Sequence, residues 1–425
     1  MESGDDQLVR RGMRLANANA ALWAVGNGLV STTLVVYLAL DLGAQGLAIS
    51  AILAAPRFAG ALRLAAPALM ARTLRRKSLC LAGYALSGAV LVGMPFLAIG
   101  LGRSNTAVGV AVLVASWCVY HLLEYVATVA LWSWLGDLMP PDARGRLIGR
   151  RERWLTVGRM IGMAASFAII ALWNQVDPDV ERWRPLAGSA VVGALLLVMS
   201  VLPLARMPGL AKRPSAAPQR PWRSLLACLA DADYRRLLVF SCYLAVANGL
   251  TGMAQSMYPL RVLGVEYRGM LAMRMTMYAG QSALAPAAGG WVAELGARRV
   301  MTLSQLLVAT GPLFFWIATP AAPWWVAGAF LVWIAYVGLN VGLDTIKLDL
   351  APAENNAPHL AVYYTLSDLA NGVMLIGGGL MYDRLVAGGA RAEAVYSGLF
   401  LAGFVLRLLA VGLILRLREP PPRAL

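Results

Sequence analysis

Twelve long apolar windows constrain this sequence more than any other feature. Each is about 20 to 30 residues long and rich in Leu, Ala, Val and Gly. They cover residues 17–40, 46–70, 78–101, 107–136, 154–173, 186–206, 237–260, 270–293, 300–319, 323–346, 360–382 and 395–416. Roughly 20 apolar residues cross a bilayer as an α-helix, whereas barrel strands alternate apolar and polar positions. The windows predict an all-α integral membrane protein of about twelve spans.

Composition and charge agree with a chain whose solvent is the lipid bilayer. Hydrophobic residues make up 59% of the sequence and charged residues 14%. The hydrophobic share is too high and the charged share too low for a soluble globular domain. The net charge of +15 would suggest nucleic acid as a partner of a soluble protein. Here the cations fall mainly on alternate connections, among them Arg10, Arg11, Arg75, Arg76, Arg150, Arg151, Arg298 and Arg299. The positive-inside rule then predicts cytoplasmic termini and no nucleic-acid partner. The abundance of Ala and Arg is typical of a GC-rich bacterial genome, which favours a location in the bacterial inner membrane.

The sequence also contains an internal repeat. Ala24-Val25-x-Asn27-Gly28-Leu29, with Tyr37 and Leu42-Gly43 following, recurs 221 residues later from Ala245 to Gly264. A second echo joins Asp137-Leu138-x-Pro140 to Asp349-Leu350-x-Pro352. Each echo links one span to the sixth span after it, which is typical of two parallel repeats. The predicted organisation is an N-terminal six-helix bundle at 1–206, a cytoplasmic linker at 207–235 and a C-terminal six-helix bundle at 236–425.

Two parallel six-helix halves with a basic central loop resemble the major facilitator superfamily along essentially the whole chain. After the second span the sequence keeps the basic part of that superfamily's loop motif, Arg72, Arg75 and Arg76, but has Pro67 and Ala71 where Gly and Asp are expected. Gly290 to Arg299 is closer to the motif, and Asp137 to Arg146 is similar to the loop after the fourth helix. The resemblance implies a transporter whose halves rock about a midplane site. A drug-antiporter signature is missing between Trp154 and Trp173, which argues against proton-driven multidrug efflux.

Polar residues inside the spans supply the candidates for solute binding. They recur at three- and four-residue steps on several spans, whereas spans three, six and nine have no charged interior residue and span twelve has only Arg407. The substrate-binding candidates are Asn27, Arg57, Asn248, Gln255, Arg274, Gln281, Asn340 and Asn371. Arg57 is the first candidate for binding an anionic group. Polar amides also join membrane helices to one another, so Asn248, Gln255 and Gln281 have a structural alternative.

Buried ionisable groups are the candidates for proton coupling. Glu124 lies near mid-span, where a charge is costly, so its carboxyl is the first proton-coupling candidate. His121, one turn earlier, and Asp368 are the others. A structural ion pair of Glu124 with Arg57 or Arg63 is the alternative for Glu124, and a hydrogen-bonded structural role is the alternative for His121.

Charged residues at the predicted cytoplasmic ends of the spans form a candidate gate. The set is Arg72, Arg75, Asp137, Arg144, Arg298 and Asp349. Salt bridges among them, formed when the cytoplasmic side is shut, would bias alternating access, as the resemblance implies. The alternative is that both aspartates only help end their helices. Asp344 and Lys347 are spaced to pair with each other as a structural ion pair.

These patterns predict a secondary active transporter that moves a small solute by alternating access. Protons are the preferred coupling ion, because Glu124 and Asp368 are buried carboxyls. The sequence contains no Walker motif, which disfavours ATP-driven transport. An anionic substrate is a weak preference. The rivals are a membrane-embedded enzyme or lipid-handling protein and a non-transporting assembly factor. No enzymatic activity, cofactor or metal is expected, and the chain is predicted to work as a monomer in the bilayer.

Overall fold

The computed structural model describes residues 4–62, 76–138, 144–208, 221–351 and 357–418. These residues form helices and contain no β-strand beyond an isolated bridge between Thr319 and Ala322. The helices are α1 Gly4–Leu29, α2 Thr32–Asp41, α3 Gly46–Ala61, α4 Arg76–Gly102, α5 Thr106–Leu138, α6 Arg144–Val176, α7 Trp183–Met199, α8 Val201–Ala205, α9 Pro221–Ala230, α10 Ala232–Arg261, α11 Tyr267–Leu295, α12 Ala297–Ala309, α13 Gly311–Ile317, α14 Trp325–Val332, α15 Tyr336–Leu350, α16 Ala357–Ala387 and α17 Ala392–Ile414.

The apolar windows coincide with these helices. Among the described residues, 10 helical segments are long and apolar enough to cross a membrane. The second window contains the shorter apolar helix α3, and the eighth is α11, a helix of 29 residues that carries Arg268 and Arg274. The prediction of an all-α membrane protein of about twelve spans is confirmed.

The helices pack into two compact units. Unit 1 comprises Met1–Ala44 and Ala65–Pro218, and unit 2 comprises Gln45–Leu64 and Gln219–Leu425. The helix α3 lies in the N-terminal part of the sequence, before the predicted linker, but it packs with unit 2. The boundaries at 206 and 236 stay a prediction.

The sequence repeat has a counterpart in the packing of each unit. In unit 1, Gly28 of α1 lies against α6, where an added Cβ would stand 2.9 Å from the Gly162 Cα. In unit 2, Gly249 of α10 lies against α16, where a Cβ would stand 2.6 Å from the Asn371 carbonyl oxygen. Such distances leave no room for a side chain, so glycine permits both close helix approaches. The two glycines are the same position of the repeat.

Within unit 2, α3 packs closely along α16. The Asp383 carboxylate accepts hydrogen bonds from the first two backbone N–H groups of α3, those of Gly46 at 2.9 Å and Leu47 at 2.7 Å. A carboxylate at this position satisfies otherwise unpaired donors and complements the helix dipole. One turn before Asp383 along α16, Gly379 lies against Gly46 and Ser50, with no room for a Cβ.

Substituting Gly379 with alanine should therefore lower thermal stability. The new methyl group would overlap the Gly46 carbonyl oxygen and the Ser50 hydroxyl, and overpacking of this kind costs about 1–3 kcal/mol. Gly377→Ala is the matched control, because nothing lies within 4 Å of a Cβ there. Unfolding of the two variants in detergent checks the contact. Equal melting temperatures would contradict the close packing of α3 on α16.

Candidate functional site

A hydrogen-bonded chain of hydroxyls ends at Glu124, in the fourth span of the chain, which lies in unit 1. Thr128, one turn later on α5, donates to Glu124 Oε1 at 2.8 Å, and the Tyr84 hydroxyl of α4 lies 2.9 Å from Thr128 Oγ1. Because Thr128 has a single hydroxyl proton and gives it to Glu124, Tyr84 must be the donor to Thr128. The Glu124 carboxyl is thus held by neutral groups within a membrane span.

Arg159 and His121 are the two basic residues considered near Glu124, and neither makes a hydrogen bond to it in the described part of the chain. Arg159 on α6 lies close enough to attract an ionised Glu124 electrostatically. His121 instead packs its ring against Trp117 and Tyr120, at centroid distances of 4.5 and 4.8 Å, and its Nε2 has no hydrogen-bond partner in the part of the chain that the structure describes. The structure therefore places His121 in an aromatic cluster, and its role in proton coupling stays a prediction.

The repeated asparagines each meet a tyrosine from a different helix of their own unit. Asn27 donates from Nδ2 to the Tyr120 hydroxyl at 3.1 Å in unit 1. In unit 2 the Tyr336 hydroxyl donates to Asn248 Oδ1 at 3.4 Å. Each pair joins the first span of one copy of the repeat to the fourth span of the same copy. The repeat in the sequence is therefore accompanied by a repeated polar contact.

Unit 2 contains a buried arginine that sequence reasoning left out of the site. Arg407 of α17 is 2% exposed, and it donates from Nε to Asn248 Oδ1 at 2.9 Å and from Nη2 to Thr251 Oγ1 at 3.3 Å. Its guanidinium also lies over the Trp333 ring, 5.8 Å from the centroid. Nη1 has no hydrogen-bond partner, and no carboxylate of the described residues pairs with Arg407. The signal was present, since Arg407 is the single charge in an otherwise apolar twelfth span.

Among the other predicted amides, Gln281 and Asn371 make contacts that join helices, whereas Gln255 bonds within its own helix. Gln255 donates to Thr251 Oγ1 at 3.3 Å, Gln281 to the Trp333 carbonyl oxygen at 2.9 Å, and Asn371 to the Ala245 carbonyl oxygen at 2.9 Å. Gln281 thereby satisfies a carbonyl at the 3-10 turn between α14 and α15. These contacts favour the structural alternative for Gln281, and Asn371 makes a contact of the same kind.

Two further predicted binding residues make no side-chain hydrogen bond within the described part of the chain. Asn340 on α15 is exposed. Arg274 on α11 is half-buried, and its Nε atom has no partner. Both side chains are thus available to a ligand, and their binding role stays a prediction.

Arg57 and Asp368 form an ion pair between α3 and α16. Arg57 Nη1 lies 3.3 Å from Asp368 Oδ1, with the arginine side chain 52% exposed and the aspartate 13% exposed. The structure thus gives Arg57 a partner other than Glu124. Asp368 thus faces a cation on the neighbouring helix, and its role in proton coupling stays a prediction.

The predicted pairing of Lys347 with Asp344 is present. Lys347 Nζ lies 2.6 Å from Asp344 Oδ1 and donates to the Tyr364 hydroxyl at 2.7 Å. It also lies over the rings of Tyr363 and Tyr364, 5.0 and 4.5 Å from their centroids. This buried ammonium group ties α15 to α16.

The candidate gate is only partly within the described structure. Arg72 and Arg75 lie outside the described residues, and the side chains of Asp137 and Arg144 do as well. Arg298 is exposed and donates to the Leu417 carbonyl oxygen at 3.5 Å. Asp349 is exposed and makes no ion pair with any described residue. The gate stays a prediction.

Comparisons with known proteins agree with this fold. A family model described as MFS/sugar transport protein matches residues 71–346. A search among curated proteins gives no match. Among solved structures, the nucleoside transporter NupG is 16% identical, with 96% of this chain and 98% of that chain covered and a TM-score of 0.64. A D-xylose-proton symporter is 16% identical, with 98% and 100% covered and a TM-score of 0.67. A POT family transporter in complex with 5-aminolevulinic acid is 10% identical, with 96% and 97% covered and a TM-score of 0.68.

Proposed function

We propose that this chain, which belongs to the MFS/sugar transport protein family, couples the movement of a small anionic solute to protons. Membership of that family makes it a multi-pass membrane transporter of the secondary active type, not an enzyme. The proton coupling and the anionic solute are our inference. The observation that carries it is the Glu124 carboxyl, which lies in a membrane span and accepts a hydrogen bond from the Thr128 hydroxyl.

Glu124 is suited to gaining and losing a proton during transport. A charge within a span costs at least about 2.5 kcal/mol, and the hydrogen bond from Thr128 offsets only part of that cost. The Thr128 hydroxyl can accept a hydrogen bond from a protonated carboxyl or donate one to an ionised carboxylate, so it can hydrogen-bond both forms of Glu124. Arg159 attracts the ionised form. A change in the surroundings of Arg159 during transport would weaken that attraction and favour protonation of Glu124.

The preference for an anion rests on the positive charge of Arg407 in unit 2. It has no acidic partner among the described residues, and a buried charge acts strongly on its surroundings because the local dielectric constant is low. Asn248, Thr251 and Gln255 form the polar groups beside it. A solute anion hydrogen-bonded there would be stabilised by Arg407, whereas a cation would be repelled.

We propose that both termini lie in the cytoplasm, as the positive-inside rule predicts, and that the protein is located in the inner membrane. Arg150, Arg298 and Arg299 are exposed at one end of their helices, as this orientation expects. Protease access to a C-terminal tag in right-side-out vesicles checks it.

Binding by the detergent-purified protein tests the proposal. Thermal stabilisation should be measured at two pH values against anionic, cationic and neutral solutes, including sugars and nucleosides, the solutes named for two of the similar transporters. We expect an anion to stabilise most, and more at the lower pH, because protonation of Glu124 accompanies binding. A ligand at 100 times its Kd stabilises by about 2.7 kcal/mol.

Two variants separate the role of Glu124 from a general effect of losing a carboxylate. Glu124→Gln should bind with no dependence on pH, whereas Glu266→Gln, which changes a side chain that is 70% exposed, should keep that dependence. Stabilisation by cations alone, or by nothing while another membrane protein co-purifies, would contradict the proposal. The second result would favour an assembly factor.

A further inference from the structure

Three arginines converge on a surface groove of about 240 Å³ where α10 begins and α17 ends. Arg235 and Arg236 are the fourth and fifth residues of α10, and Arg416 lies two residues after the last residue of α17. Val239 and Leu413, one turn deeper along the same two helices, complete the lining. The groove is thus positive at the end of the spans and apolar toward their interior.

The groove continues into apolar surface. Val239 is 52% exposed, and the neighbouring helix α9 exposes Leu226 by 56% and Leu229 by 39%. Arg235 donates to the Leu229 carbonyl oxygen at 2.8 Å, which ties α9 to this end of α10. Large apolar side chains beside guanidinium groups are suited to the boundary between headgroups and hydrocarbon.

The positive charge of the groove is incompletely balanced. Asp233 accepts from Arg236 at 2.7 Å and from Arg418 at 3.0 Å, so one carboxylate serves two arginines. Asp231 is occupied as the N-cap of α10, where it accepts from two backbone N–H groups. The Arg416 side chain makes no hydrogen bond or ion pair with the described residues. The N-terminus of α10 adds a positive dipole end, so an anion would be stabilised here.

We propose that this groove binds a phospholipid with an anionic headgroup. The phosphate would accept hydrogen bonds from Arg235, Arg236 and Arg416, because guanidinium groups match phosphate oxygens in pairs. The first acyl carbons would lie against Val239 and Leu413. The combination of a cationic end and an apolar wall at the end of two spans fits a lipid better than a free soluble anion. This proposal does not depend on the identity of the transported solute.

Native mass spectrometry of the full detergent-purified chain tests the site. The probes are phosphatidylglycerol, phosphatidylcholine with the same acyl chains, and inorganic phosphate. We expect the wild type to retain phosphatidylglycerol at least about tenfold better than phosphatidylcholine. The triple variant R235Q/R236Q/R416Q should lose this preference, since each arginine near an anionic lipid contributes about fivefold.

Two variants keep the test decisive. R103Q/R182Q/R384Q removes the same charge from exposed arginines elsewhere and should keep the preference. Should the first triple variant fail to fold, R416Q alone, which breaks no contact with the described residues, should still weaken phosphatidylglycerol retention about fivefold. Equal retention of the two lipids, an equal loss in the control variant, or binding of inorganic phosphate as strong as that of phosphatidylglycerol would each overturn the proposal.

Discussion

Arg407→Met should leave the protein as stable as the wild type, or more stable, and yet remove most of its affinity for an anionic solute. Arg407 is buried without a carboxylate partner among the described residues. Replacing a buried ion pair with apolar residues of similar volume is often neutral or stabilising by about 1–4 kcal/mol, and a buried charge without a partner has the desolvation cost with no ion pair to offset it. The loss of its charge and of its hydrogen bond to Asn248 should weaken binding roughly 10- to 100-fold, as expected for a hydrogen bond to a charged group. Thermal unfolding and solute titration of one preparation measure both effects.

Arg182→Met is the control for this prediction, because it removes one exposed arginine and should change neither quantity. An Arg407→Met protein that loses stability together with affinity would contradict the functional role. Arg407 would then be a structural residue that holds α17 to α10.

Glu124→Gln should abolish proton-driven accumulation of the solute and preserve solute exchange. Glutamine keeps the shape of the side chain and can accept from Thr128, but it cannot release a proton. A gradient of one pH unit supports about tenfold accumulation per coupled proton. The variant should reach no accumulation above the external concentration, whereas exchange of labelled for unlabelled solute requires no net proton movement.

Proteoliposomes with and without a pH gradient measure the two activities separately. Glu266→Gln, in an exposed position, should accumulate solute like the wild type. Loss of exchange along with accumulation would indicate that Glu124 holds the fold of unit 1. Unchanged accumulation would remove Glu124 from the coupling mechanism.

Features that depend on nearby residues could be predicted from the sequence. The apolar windows located the helices because the cost of exposing polar groups to lipid acts on every residue of a span. The i, i+3 spacing of Asp344 and Lys347 predicted their ion pair. The repeated Asn-Gly motif predicted equivalent positions, and Gly28 and Gly249 do make equivalent close contacts within their units.

Contacts between distant segments could not be predicted in the same way. Helical periodicity shows which residues share a face but not which helix that face meets, so the partner of Arg57, which is 311 residues away at Asp368, was not identified. The same limit applies to Gln281 and Asn371, which bind backbone carbonyl oxygens of other helices. Arg407 was not among the candidates because the rest of its span is apolar, although its side chain turns inward to Asn248.

Proton movement driven by the solute is the most direct test of the central claim. Proteoliposomes containing the wild-type protein and a pH-sensitive dye would be mixed with the solute that stabilises the protein most, at zero membrane potential and with no initial pH gradient. Proton-coupled transport predicts a change in internal pH that follows solute entry and is absent in Glu124→Gln. Solute entry at the same rate with no change in internal pH would contradict it.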